Sequence, residues 1–111
     1  MEKIVIFEDF SKVDLRIGTI LEVKDFPEAR SPAYQLIIDF GDLGIKKSSA
    51  QITTLYAKEQ LLHRQIVAVV NFPKKQIGKF MSECLVMGGV NGKDVILLHP
   101  EVKVPNGSVV S

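Results

Sequence analysis

A small all-β barrel is the fold this sequence predicts, and three observations predict it. Residues 33–40, AYQLIIDF, alternate apolar and polar side chains with the period of a strand that buries one face. Short apolar runs recur along the chain, separated by turn-forming pairs such as Gly-Asp, Pro-Lys and Asn-Gly. Only residues 53–64 change to a helical period, so helix content is small. A chain of 111 residues suits one domain, 1–111, with one hydrophobic core.

The elements follow in order. FEDFSKVD reads as a single helical turn, with Asp9 and Ser11 placed to cap backbone donors and Phe7 and Phe10 on one side. RIGTILEVKDF reads as a long first strand with Ile17, Thr19, Leu21 and Val23 on one face. Gly18 marks a bend or a close approach within it. PEARSP, 27–32, is a loop between two prolines. The second strand places Tyr34, Leu36, Ile38 and Phe40 on one face, and GDLG turns it into the returning strand IKKSSAQI. TTLYAKEQLLHR suits a short helix capped by Thr53 or Thr54. QIVAVVNF, apolar on both faces, is a central strand; PKKQIGKF is a basic loop; MSECLVMGG is another strand; Asn91-Gly92 turns it into DVILLHP. Five or six strands, with the helix between the third and fourth, give the order β-β-β-α-β-β. That is a five-stranded OB-fold, a Greek-key barrel, here with short N- and C-terminal extensions. An SH3-like barrel normally lacks a helix at that point.

Several function classes fall away. A lone cysteine, Cys84, leaves no disulfide within the chain and favours a reducing, cytoplasmic setting. The apolar run Ile4–Phe7 is too short for a signal segment or a membrane span, so no membrane insertion is expected. His63, His99 and Cys84 lack metal-ligand spacing, no segment matches a phosphate-binding Walker loop, and Ser48 and Ser49 lack nucleophile-elbow surroundings. No metal, no cofactor and no catalysis are expected. Cys84, on an apolar strand, reads as a packed hydrophobe.

Charge is informative through its distribution. Residues 1–42 carry five bases against nine acids, whereas residues 43–82 carry seven bases against Glu59 alone. Such a local field attracts anions although the net charge is only +1. In an OB-fold the working surface is built from strands two and three and the loops joining strands one to two and four to five. Mapped here, Arg30 on the first loop, Lys46 with Ser48 or Lys47 with Ser49 on the third strand, and Lys74, Lys75 and Lys79 on the second loop converge. Such a face suits a phosphate backbone. Tyr34, Phe72 and Phe80 are candidate stacking platforms, and hydrophobic anchors would equally serve an extended polypeptide. Asp14 and Arg16 read as a structural pair on the first strand, and Arg64 as a partner of the helix dipole.

DFSKVDLRIGTI, 9–20, resembles the entry signature of the tRNA-binding domain family. LLHRQIVAVVNFPKKQIGKFMSECLVM, 61–87, resembles its second block, in which a strand ending in an Asn-rich turn and basic loop leads into a Ser-Glu/Gln-Gly-Met segment. Asn71, the lysines, Ser82 and Glu83 keep that pattern, with Cys84 and Leu85 in place of Gly and Met. FPEARSPAYQL and FGDLGIKKSSAQIT are similar to the family's CsaA branch, small export-related chaperones. The resemblance implies an OB-fold, a homodimer, tRNA binding at family level and client-polypeptide binding at branch level. Lys74, Lys75 and Lys79 are the leading candidates for contact with tRNA or client, followed by Lys46, Lys47, Ser82 and Glu83, with Arg30 on the first loop. A stand-alone tRNA-binding protein with incidental chaperone activity is the alternative the resemblance leaves.

Overall fold

The computed structural model describes residues 3–111; Met1 and Glu2, part of the N-terminal stretch read above, lie outside the described residues. Its helical turn α1 (Phe7–Ser11) is followed by strands β1 (Leu15–Asp25), β2 (Tyr34–Asp39) and β3 (Ile45–Ala50). Helix α2 (Lys58–Leu61) leads to β4 (Gln65–Val69), β5 (Lys75–Ile77), β6 (Phe80–Ser82) and β7 (Leu85–Val86). Strands β8 (Gly88–Asn91), β9 (Asp94–Leu97) and β10 (Val109–Val110) complete the chain. The main sheet runs β3-β2-β1-β4-β7, with antiparallel pairing throughout, and β10 adds to β1. Between β3 and the β6–β7 segment the barrel nearly closes: the Glu83 amide donates to the Lys47 carbonyl at 2.7 Å, and the Ser48 hydroxyl to the Cys84 carbonyl at 2.8 Å. This is the predicted OB-fold, with the helix in the predicted place.

Strand β1 is long because it serves three neighbours. Residues Leu15 to Thr19 pair with β4 on one side, Leu15 and Arg16 pair with β10 on the other, and Thr19 to Asp25 pair with β2. A bulge between Ile20 and Glu22 shifts the register against β2. The extra residue, Leu21, changes the phase of the strand. Gly18 and Ile20 therefore face the core before the bulge and Val23 packs on it afterwards, which corrects the single face expected for Ile17, Thr19, Leu21 and Val23. Thr19 instead meets the C-terminal segment, donating to Asn106 Oδ1 at 2.7 Å. A Cβ on Gly18 would lie 2.7 Å from side-chain atoms of Ile38 and Phe40, the close approach its position suggested.

The core contains Ile20, Leu36, Ile38, Phe40, Leu61, Ile66 and Ala68, all without solvent exposure. Each of the larger side chains contributes roughly 1.5–3 kcal/mol of transfer free energy. Tyr34, Leu36, Ile38 and Phe40 all point inward, as their alternation required. Helix α2 is shorter than the period suggested. It begins after Ala57, whose amide donates to Gln60 Oε1 at 2.7 Å, so neither Thr53 nor Thr54 caps it. The reason is Tyr56, which is drawn toward the core: its hydroxyl accepts from the Leu97 amide at 3.1 Å and its carbonyl from the Tyr34 hydroxyl at 2.8 Å. Residues Ile4–Ile6 form no strand, and Ile4 is 84% exposed. At α1 the Asp9 carboxylate accepts from the Ile6 amide, as expected of a cap, while the Ser11 hydroxyl donates to the Glu8 carbonyl.

Candidate nucleic-acid and polypeptide interface

The segment expected to be a basic loop is a β-hairpin. Lys75, Gln76 and Ile77 pair with Ser82, Met81 and Phe80. Gly78, at φ +60°, and Lys79 form the two-residue connection, and glycine at its first position matches the strand twist. The lysines and Pro73 concealed the strand in the sequence, because only Ile77 and Phe80 carry its inward face. The strand expected over residues 81–89 is correspondingly divided among β6, β7 and β8.

Two aromatic rings position this hairpin. Phe80 packs on Phe26 with ring centroids 5.2 Å apart, in a cluster with Ala33, Ala29 and Ile77. The loop 27–32 is thereby fixed against the hairpin, and Arg30 and Lys75 share a cavity of about 550 Å³ with Glu28, Gln76 and Gly78. Lys47 reaches the same cluster, its Nζ lying 5.4 Å from the Phe80 ring centre. Such a contact holds a cation where its charge is less well screened by water.

Glu83 joins the base of the hairpin to β3. Its Oε1 accepts from the Lys47 amide at 2.9 Å and its Oε2 lies 3.5 Å from Lys74 Nζ. Partial burial raises the pKa of this carboxyl, but the hydrogen bond from the Lys47 amide and the nearby Lys74 ammonium outweigh it, so the net shift is downward. Both carboxylate oxygens are thus engaged within the chain. Ser82 Oγ accepts a long bond from the Ser49 amide at 3.4 Å. Burial pushes the Cys84 thiol up to about 11, which leaves it protonated and unreactive at neutral pH.

A second cavity, about 620 Å³, lies on the other flank of β5. Phe72, Pro73, Cys84 and Leu85 give it apolar walls, while Lys74, Lys75, Gln76 and Ser82 supply polar groups. Of the three candidate stacking platforms, Tyr34 and Phe80 are 8% and 9% exposed and belong to the core, whereas Phe72 is 51% exposed. Leu85, also exposed, was missed in the sequence because it sits in a strand-like apolar run. Lys79 stands exposed at the hairpin tip, bordering neither cavity. Lys46 is half-buried on the β3 face that carries Ser48, and Ser48 is fully buried, so Lys47 and Ser49 form the alternative, outward pair.

Asp14 and Arg16 have the structural role expected of them. Arg16 Nε donates to Asp14 Oδ1 at 2.6 Å and Arg16 NH1 to the Gly107 carbonyl at 3.0 Å. Asn71 completes the node: its Oδ1 accepts from the Asp14 amide and its Nδ2 donates to the Lys12 carbonyl. Arg64 lies over the Tyr56 ring at 5.4 Å and stands beyond the C-cap of α2, Leu62, so an aromatic face is the partner the structure gives it.

Comparison with known proteins places these blocks in context. The model of the tRNA_bind family, described as "Putative tRNA binding domain", matches residues 15–109. The chain belongs to the tRNA-binding domain family. Methionine–tRNA ligase of Pyrococcus abyssi is 37% identical over 109 residues, covering 98% of this chain and 15% of that protein. The corresponding ligase of Pyrococcus furiosus is 38% identical over 106 residues, covering 96% of this chain and 14% of its own length. The chain therefore spans only about one-seventh of these curated relatives. Among solved structures, the chaperone CsaA from Bacillus anthracis is similar at 55% identity and TM-score 0.94, covering 98% of this chain and all of that one. The CsaA chaperone protein from Picrophilus torridus is similar at 50% identity and TM-score 0.91, covering 97% and 100%. The family model thus spans the barrel and the hairpin of this chain, and the full-length structural neighbours named above are CsaA chaperones.

Proposed function

We propose that this protein is a non-catalytic, homodimeric chaperone of the cytoplasm, associated with protein export, that binds client polypeptides and also tRNA. The single observation that carries this reading is the β5–β6 hairpin, where an apolar cavity walled by Phe72, Pro73 and Leu85 is rimmed by Lys74 and Lys75, with Arg30 across the hairpin and Lys79 at its tip. Phe72, Leu85 and Pro73 offer an extended polypeptide apolar anchor points, and the exposed β5 edge lies beside them. Lys74, Lys75, Lys79 and Arg30, backed by Lys46 and Lys47, offer a phosphate backbone its counter-charges. Ser82 and Glu83 set the geometry between the two surfaces. Among the described residues no helix is long and apolar enough to cross a membrane. The exposed apolar segment Ile4–Phe7, together with Ile96 and Leu98, supports a twofold interface between copies.

A stand-alone tRNA-binding protein is the second reading, favoured by the excess of bases in residues 43–82. One set of measurements separates the two. Replacing Lys74, Lys75 and Lys79 together by alanine should leave the fold intact, because exposed lysines contribute little to stability. Binding to tRNA should weaken, and its dependence of log affinity on log salt should flatten by about 0.7–0.9 per lysine that meets a phosphate. Binding of an uncharged, extended apolar peptide should change far less, whereas Phe72→Ala should weaken the peptide more than the RNA. Unchanged tRNA affinity and salt slope in the triple variant would remove the nucleic-acid role of the hairpin. Absence of any peptide binding would leave the second reading.

A further inference from the structure

Away from the β5–β6 hairpin, His63, Arg64, Gln65, His99, Pro100 and Lys103 line a cavity of about 250 Å³. Both histidines of the chain meet there with an arginine and a lysine, and no carboxylate is among the lining residues. Among the described residues none of these four basic side chains has a salt-bridge partner; Glu101, the nearest acid in sequence, is exposed and outside the lining. The two cations, Arg64 and Lys103, thus border one concavity that holds no counter-charge, a field that favours an anion.

The frame around the cavity is fixed from several sides. Among the described residues His63 alone combines a non-glycine side chain with a left-handed backbone, φ 68°, and its amide donates to the Ile20 carbonyl at 2.8 Å. The Ile20 amide in turn donates to the Arg64 carbonyl at 3.0 Å. The Arg64 guanidinium rests over Tyr56, which the Leu97 amide holds through the ring hydroxyl. Gln65 binds the C-terminal segment in both directions: its Nε2 donates to the Val104 carbonyl at 2.7 Å, and its Oε1 accepts from the Val104 amide at 3.1 Å. Lys103 is thereby carried to the rim. His99 Nδ1 lies 2.9 Å from the Pro100 carbonyl, a contact in which the ring nitrogen must donate, so His99 shapes the wall of the cavity and its neutral ring presents Nε2 as an acceptor.

We propose that this cavity is a second anion site, built for a single phosphate group and independent of the hairpin surface. A guanidinium presents planar paired donors, an ammonium adds a point charge and the His63 imidazole adds one N–H donor, a mixture that a tetrahedral oxyanion engages on several sides. The size suits one phosphate and excludes a folded nucleotide within the cavity itself. The phosphate can arrive free or as the terminal group of a larger molecule, and the two sources are separable.

The test is a ¹H–¹⁵N NMR titration of the full chain at constant ionic strength, first with inorganic phosphate and then with a 5′-phosphorylated dinucleotide. The expected result is saturable displacement of the His63, Arg64, His99 and Lys103 amides, with sodium chloride producing none. Arg64→Gln and Lys103→Gln should each weaken binding about tenfold or more, which is about 1.4 kcal/mol, while Lys93→Ala, on the β8–β9 turn and outside the cavity's lining, leaves it unchanged. Lys103 is exposed, so its variant folds whatever becomes of the arginine variant. Saturation by inorganic phosphate identifies a free anion as sufficient; saturation only by the dinucleotide identifies a terminal phosphate on a larger ligand. The proposal is overturned if neither probe saturates, or if the displacements persist in Lys103→Gln and Arg64→Gln alike.

Discussion

Glu83 holds β3 and the hairpin together with one carboxylate, and its removal can be worked through quantitatively. Its side chain is 21% exposed and accepts a charge-assisted hydrogen bond from the Lys47 amide at 2.9 Å. Bonds of that kind contribute about 1.5–3 kcal/mol, and water reaching the remaining exposed surface takes over part of it. The Lys74 contact, at 3.5 Å with the lysine 65% exposed, adds no more than about 0.5 kcal/mol. Glu83→Ala should therefore cost about 2 kcal/mol, a fall in Tm of roughly 8–12 °C for a domain of this size. Glu83→Gln retains an acceptor oxygen for the Lys47 amide and should cost about 1 kcal/mol or less. The folded carboxyl titrates below its ordinary value of 4.5, so its stabilisation is complete above that value and is lost as pH falls through the lower, folded one. Urea melts of wild type, Glu83→Ala and Glu83→Gln at about pH 7 and about pH 3 read all of this. Equal losses for the two variants at neutral pH would refute the role given to the amide acceptor. A wild-type advantage over Glu83→Gln that persists undiminished at the acid pH would refute the role given to the charge.

Three further outcomes are expected. Cys84, buried and with its thiol pushed up to about 11, should react with a thiol reagent at pH 8 far more slowly than free cysteine; comparable rates would show the site is open. Gly18→Ala should destabilise the fold by about 1–3 kcal/mol in denaturant melts, because its methyl group would lie 2.7 Å from Ile38 and Phe40; a neutral variant would mean that those side chains have room to move. Light scattering should give twice 12.3 kDa at micromolar concentration, and Ile4→Ser with Ile6→Ser should shift it toward the single chain; a 12.3 kDa particle for wild type would remove the dimer.

Strand β2 was fully legible because its two faces see different solvents along its whole length. Strand β1 was not, since a bulge at Leu21 reverses the alternation midway and leaves no local mark on composition. The hairpin was concealed because Lys75 and Gln76 fill two of the three β5 positions, Gly78 and Lys79 form its turn and Pro73 adjoins it, so turn chemistry outweighed pairing. Helix α2 shrank because Tyr56 gains more from two hydrogen bonds in the core than from a helical turn. The cations of the candidate face were legible as composition, yet the convergence of Arg30 with Lys75 depends on Phe26 meeting Phe80, a contact between distant segments with no sequence signature. The same holds for Phe72, whose exposure separates it from Tyr34 and Phe80 only once the barrel is assembled.

The node of Asp14, Arg16, Asn71 and Gly107 has a consequence for the order in which the molecule can assemble. Asp14 waits for a partner 57 residues later in the chain, and Arg16 for one 91 residues later. The longer closure costs only about 0.4 kcal/mol more in loop entropy than the shorter one, so distance alone is a weak obstacle. What matters during synthesis is availability, at about 5–20 residues per second. Strands β1, β2 and β3 emerge first and can pair as a meander of local contacts, but the apolar face of Ile20, Leu36, Ile38 and Phe40 then has neither β4 nor the C-terminal segment to cover it. For some seconds the nascent chain displays its own future core, an extended apolar surface of the type its proposed binding cavity would accept from a client.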